Sequence, residues 1–85
     1  MRVIYRRDPI KTLRRMPRAK AEDIAAAIRR VAADPSAPNN NLRALKGVSN
    51  GFRVRVGNWR VSYTVDWEAD VMDVFEIAPR GGAYR

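Results

Sequence analysis

Apolar and polar positions change rhythm along this chain, and each rhythm predicts an element. Val3, Ile4 and Tyr5 form a short β-rich run that ends at the charged Arg6-Arg7-Asp8, which predicts a first strand. Asp8-Pro9 then offers an N-cap residue followed by proline at the first helical position, and Ile10, Leu13 and Met16 recur at helical spacing up to Pro17. Over Arg18–Ala33, the positions Ala21, Ile24, Ala27, Ile28 and Val31 follow the i, i+3, i+4, i+7 pattern, with Asp34-Pro35 as a stop. Alanine throughout this segment favours helix. Two helices joined around Pro17 are expected to form a hairpin laid across a sheet. Residues 35–41 read as a polar loop.

Downstream, the period shortens to two. Residues 52–56 and 59–65 alternate apolar and polar and are separated by Gly57-Asn58, a pair suited to closing a hairpin with glycine at the first turn position. Residues 72–78 predict a further strand. The expected order is therefore β-α-α-β-β-β, an α+β fold with an antiparallel sheet and a two-helix hairpin packed on one face. At 85 residues, the chain has material for one domain, residues 1–85.

The hairpin register follows from the turn. Val56 faces Trp59, Arg55 faces Arg60, Val54 faces Val61, Arg53 faces Ser62 and Phe52 faces Tyr63. Phe52, Val54, Val56, Trp59, Val61 and Tyr63 then share one face, fit to pack under the helices, while Arg53, Arg55 and Arg60 share the other. Like charges directly opposed on paired strands cost some tenths of a kcal/mol to about 1 kcal/mol, so Arg55 against Arg60 favours an anionic partner there. Arginine suits phosphate because its planar fork of donors engages two oxygens at once. Two plainer readings stand beside this one. Arginines on an open sheet face are often simply solvated, and Asp66, Asp73 or Glu76 on neighbouring strands can neutralise them. Trp59 fits the apolar parity, whereas the pattern assigns Trp67, set among Asp66, Glu68 and Asp70, no side.

Charge sharpens the picture. The chain carries 17 Lys/Arg against nine Asp/Glu, a formal net charge of +8. Residues 1–65 hold 15 of these cations and only four acids, so the excess lies upstream of an acidic final quarter. Such a balance calls for a polyanion or an acidic protein as partner. There is no Cys and no His, which excludes a disulfide staple, a thiolate metal site and an imidazole proton shuttle. Chemistry must come from Arg, Lys, Tyr or carboxylates. The start lacks the apolar core of a secretory signal, and no run approaches the roughly 18 apolar residues of a membrane span, so a cytoplasmic location is expected.

Four segments carry a family likeness: Leu45-Lys46-Gly47, then Phe52-Arg53-Val54-Arg55-Val56-Gly57, then Trp59-Arg60-Val61-Ser62-Tyr63, then Ala78-Pro79-Arg80-Gly81-Gly82-Ala83-Tyr84-Arg85. In this order and spacing they resemble the RelE/ParE superfamily, toxin subunits of type II toxin-antitoxin systems. The resemblance to the RelE branch implies a ribosome-dependent endoribonuclease that cuts mRNA and inhibits translation, with a cognate antitoxin as partner and no cofactor or metal. It implies Arg53, Arg55, Arg60, Arg80 and Tyr84 as the catalytic set, with Arg43 and Lys46 as RNA-binding positions. The ParE branch implies instead a DNA gyrase inhibitor that cleaves nothing, and a degenerate RNA-binding member is a third reading. The chain departs from the RelE pattern in carrying Arg where Lys is common, at 53 and 55. Arginine is effectively never deprotonated and is a poor general base. The absence of His also separates the chain from relatives that use one near the C-terminus.

Overall fold

In the computed structural model, which describes residues 1–80, seven elements follow one another: β1 (Arg2–Tyr5), α1 (Arg7–Arg15), α2 (Arg18–Ala33), β2 (Leu42–Ala44), β3 (Gly51–Val56), β4 (Trp59–Asp66) and β5 (Val71–Pro79). The strands make one sheet in the order β1-β5-β4-β3-β2. The α+β class and the helix pair match the sequence reading, with four corrections.

The first concerns α1, which begins at Arg7 behind Arg6 rather than at Pro9 behind Asp8. Asp8 and Pro9 still sit in the first turn, where an acid meets the positive end of the helix dipole and proline lacks only an N–H that would have no helical partner. The second is the three-residue strand β2, too short to leave a periodic trace, which pairs antiparallel with β3 at the sheet edge. The third is that β1 runs parallel to β5, so the sheet is mixed and not wholly antiparallel. The β3–β4–β5 meander is antiparallel as expected.

The fourth is a bulge. Ser62 pairs with Glu76 but Tyr63 pairs with Val74, leaving Phe75 as an extra residue on β5. Met72 and Val74 face the core, and after the bulge Ile77 does so too, a spacing of two and then three. The bulge thereby puts Asp73 and Glu76, whose parities differ, on the same open face.

The core lies between α2 and the inner face of the sheet. Ile24, Ile28, Val31 and Ala32 meet Val54, Val61, Tyr63, Val65, Met72, Val74 and Ile77. Each large aliphatic side chain fully buried there contributes about 1.5–3 kcal/mol relative to exposure. Leu13 of α1 and Met16 at its C-cap, with Trp59, Val56 and Phe52, seal the margin. Trp59 is thus part of the packed side, whereas Trp67 is 49% exposed in the turn between β4 and β5. In that turn Asp66 Oδ1 accepts the Ala69 N–H at 3.0 Å.

Between β3 and β4, Gly57 has φ +59 while Asn58 does not take a positive value, the pattern of a II′ hairpin turn. An L-residue in the left-handed region costs roughly 1–2 kcal/mol. Gly57→Ala is expected to lower stability by about 1 kcal/mol, read as a drop in the urea midpoint with an unchanged slope. Gly51 is required for space, since a Cβ there would meet Val48 Cγ1 at 2.5 Å.

Candidate nucleic-acid interface

Helices cover one side of the sheet, and the other side carries the charge. Register fixes which side chains become neighbours. Arg43 lies opposite Arg53, Arg53 opposite Ser62, and Ser62 opposite Glu76, making one row across β2, β3, β4 and β5. The next row holds Arg55 opposite Arg60 and Arg60 opposite Ala78. Four arginines from three strands thus stand in two adjacent rows on one face. The like-charge opposition expected for Arg55 and Arg60 is present, and Arg43 against Arg53 adds a second, which became visible only with β2.

Hydrogen bonds orient part of this cluster. Arg53 Nε donates to Ser62 Oγ at 3.3 Å, and the Ser62 hydroxyl donates in turn to Glu76 Oε1 at 3.2 Å. Ser62 is fully buried, so this relay is anchored in the sheet. Beside it, Arg55 Nη2 donates to Asn41 Oδ1 at 3.2 Å, and the Arg55 backbone N–H donates to the Asn41 carbonyl at 2.9 Å. Asn41 therefore holds both the backbone and the side chain of Arg55 at the edge of the face.

Neutralisation by acids, the plainer alternative, is limited. Asp73 is taken by Arg6, which donates from Nε at 3.1 Å and from Nη2 at 2.9 Å to its two carboxylate oxygens. That hydrogen bond and the nearby negative charge raise the Arg6 guanidinium pKa above its usual value. Asp66 serves its own turn. Among the described residues, Arg43, Arg53 and Arg55 form no ion pair, and Glu76 reaches Arg53 only through Ser62. Guanidinium groups in such rows can grip successive phosphate oxygens and stabilise charge developing on a phosphorus centre.

The remaining sequence candidates fall in different places. Lys46 lies exposed in the turn between β2 and β3, outside the two rows. Arg80 follows the end of β5, its N–H bonded to the Asn58 carbonyl at 2.7 Å, so its backbone is pinned at the hairpin turn beside the Arg55–Arg60 row and its side chain is exposed. Tyr84 lies outside the described residues. Sequence reasoning weighed Glu76 only as a neutralising acid and passed over Ser62 and Asn41; the break in alternation around Phe75 was the available signal for Glu76. Tyr63 lies on the core side, away from this face, and burial there pushes its hydroxyl up to about 12.

A helix pair on one side of a mixed five-stranded sheet is an α+β fold shared with solved RelE structures. The model of the family "ParE toxin of type II toxin-antitoxin system, parDE" matches residues 2–84, and the chain belongs to that family, within the RelE/ParE superfamily. It is a toxin of a type II toxin-antitoxin system. A Methanocaldococcus jannaschii protein named "Putative toxin RelE1" is 29% identical over 77 residues, which span 89% of this chain and 86% of that protein. The structure of the archaeal RelE-RelB complex from Pyrococcus horikoshii OT3 superposes with a TM-score of 0.82 at 26% identity, covering 96% of this chain and 97% of the other. The YoeB/ParE toxin from Agrobacterium tumefaciens shares the fold, with a TM-score of 0.79 at 19% identity over 95% of this chain and 100% of that one.

Proposed function

We propose that this toxin is a ribosome-dependent endoribonuclease that cuts mRNA, and that a cognate antitoxin neutralises it by covering the basic sheet face. The observation that carries this reading is the convergence of Arg43, Arg53, Arg55 and Arg60 in two rows on an open surface, with Arg80 anchored beside them. In RNA cleavage by the substrate's own 2′-hydroxyl, the enzyme aligns the attacking oxygen with the phosphorus and stabilises the negative charge of the phosphorane. Arg60 and Arg80 are assigned to the phosphate, Arg53 and Arg55 to electrostatic support, and Arg43 and Lys46 to the flanking backbone. Tyr84 is assigned to stacking on a base or ribose, as aromatic side chains do with unstacked RNA. A RelB-RelE antitoxin-toxin complex of a Methanococcus jannaschii relative, like the RelE-RelB complex of the Pyrococcus one, supports the partner assignment.

The family model that matches the chain describes ParE toxins, and this favours a second reading in which the target is DNA gyrase. Two measurements separate the readings. Purified toxin added to translating ribosomes is expected to leave new mRNA 5′ ends by primer extension, and Arg80→Ala is expected to diminish them. Intact mRNA together with gyrase-linked DNA breaks in induced cells decides for the gyrase reading.

A further inference from the structure

Every arginine on the open face shares one chemical shortcoming: a guanidinium cannot accept a proton near neutral pH. The proposed reaction needs an acceptor for the 2′-hydroxyl proton, and the chain has no His. Three carboxylates lie on or beside the open face of β4 and β5. Both oxygens of Asp73 are held by Arg6, and Asp66 caps its turn through Ala69. Glu76 is different. It is exposed, one oxygen accepts the Ser62 hydroxyl, and among the described residues the other has no hydrogen-bond partner.

Its place also fits. Glu76 ends the row that contains Arg43 and Arg53, and it is the diagonal neighbour of Arg60 across the β4–β5 pairing. A phosphate gripped by Arg53 and Arg60 would span the two rows, the first of which also holds Ser62 and Glu76. The bulge at Phe75 is what turns Glu76 toward this face. A carboxylate on a surface that holds phosphates repels the bound polyanion, a cost recovered only if the group contributes more in the transition state than in the ground state.

On the reading of the toxin as an RNA-cleaving enzyme, we propose that Glu76 is its general base, with Ser62 holding the carboxylate and Arg53 in mutual register. Oε2 of Glu76 takes the proton of the 2′-hydroxyl as the 2′-oxygen bonds to phosphorus. The bond from phosphorus to the 5′-oxygen breaks, and that oxygen takes a proton from water. The products are a 2′,3′-cyclic phosphate and a 5′-hydroxyl, with no change in oxidation state.

Glu76→Gln is the discriminating variant, because its amide oxygen still accepts from Ser62 and keeps Arg53 in place while the basicity is lost. In single-turnover cleavage of mRNA on purified ribosomes, it is expected to be slowed by about 10²-fold or more, without weaker binding to the mRNA-loaded ribosome. Glu76→Ala is expected to be equally slow and to regain rate with added formate. A Glu76→Gln toxin that cuts at the unsubstituted rate overturns the assignment. So does a slow Glu76→Ala toxin that formate leaves unchanged, which reduces Glu76 to a positioning residue. Failure of the unsubstituted protein to cut any mRNA removes the endoribonuclease reading itself, and Glu76 as base with it.

Discussion

If the toxin cuts mRNA as proposed, Arg60→Ala is expected to slow cleavage on the ribosome by about 10²–10³-fold, the loss typical when one donor to a developing oxyanion is removed. Arg60 stands in the middle strands of the open face, half-buried, with Arg55 opposite on β3 and Ala78 opposite on β5. A half-buried side chain has less rotamer freedom to lose on gripping a phosphate than an exposed one. Arg55, exposed at the margin and held by Asn41, is expected to matter less for rate and more for binding. Arg55→Ala should lower the dependence of RNA affinity on salt by roughly 0.7 in the log–log slope, as one phosphate contact disappears. It also relieves the opposition to Arg60, so thermal stability should stay level or rise by some tenths of a kcal/mol. Single-turnover rates, salt titrations and melting curves on the same variants check the three statements. An Arg60→Ala protein that is folded and cuts at the unsubstituted rate would remove the arginine rows from the mechanism.

The second large effect concerns the fold. Tyr63 is buried at the centre of the meander and stacks on Phe52, with ring centroids 5.7 Å apart. Tyr63→Ala leaves a cavity facing α2 and is expected to cost about 3–5 kcal/mol, the usual range for losing a buried aromatic ring. A small domain with a total stability of roughly 5–15 kcal/mol is brought close to unfolding by such a loss. The hydroxyl adds a dependence on pH. Burial raises its pKa from 10.0 to about 12, so between those values the unfolded chain has released a proton that the folded chain retains. Stability owed to neutral Tyr63 is therefore complete below pH 10 and is lost as pH rises toward 12. Urea midpoints at pH 9 and pH 11 should show a smaller alkaline decline for Tyr63→Phe than for the unsubstituted chain. An equal decline in both assigns it to other groups, Tyr5 among them, whose pKa is also raised by burial.

Much of this architecture was legible because its signals are local. The helix over Arg18–Ala33 is written in apolar spacing, and the β3–β4 hairpin in alternation around Gly57-Asn58. With the turn fixed, the period of two left one register, and the Arg55–Arg60 opposition followed from it. What escaped were features that depend on distant partners. Leu42, Arg43 and Ala44 make too short a run to announce a strand, and they form one because β3 offers an open edge. The parallel pairing of β1 with β5 joins the first strand to the last, and no local pattern encodes it.

By itself, the amino-acid sequence determined the helix pair, the hairpin with its two faces, the excess of arginine and the want of any imidazole or thiol, since each depends on residue identity and on neighbours a few positions away. Tertiary structure alone decided that Arg43 joins Arg53, that Asp73 is spent on Arg6, and that the Phe75 bulge turns Glu76 toward the guanidinium rows. The physical reason is that a strand's local pattern fixes only the alternation of its own side chains. Which strand lies beside it, and where a single extra residue shifts the register, is settled by backbone hydrogen bonding between segments far apart in the chain.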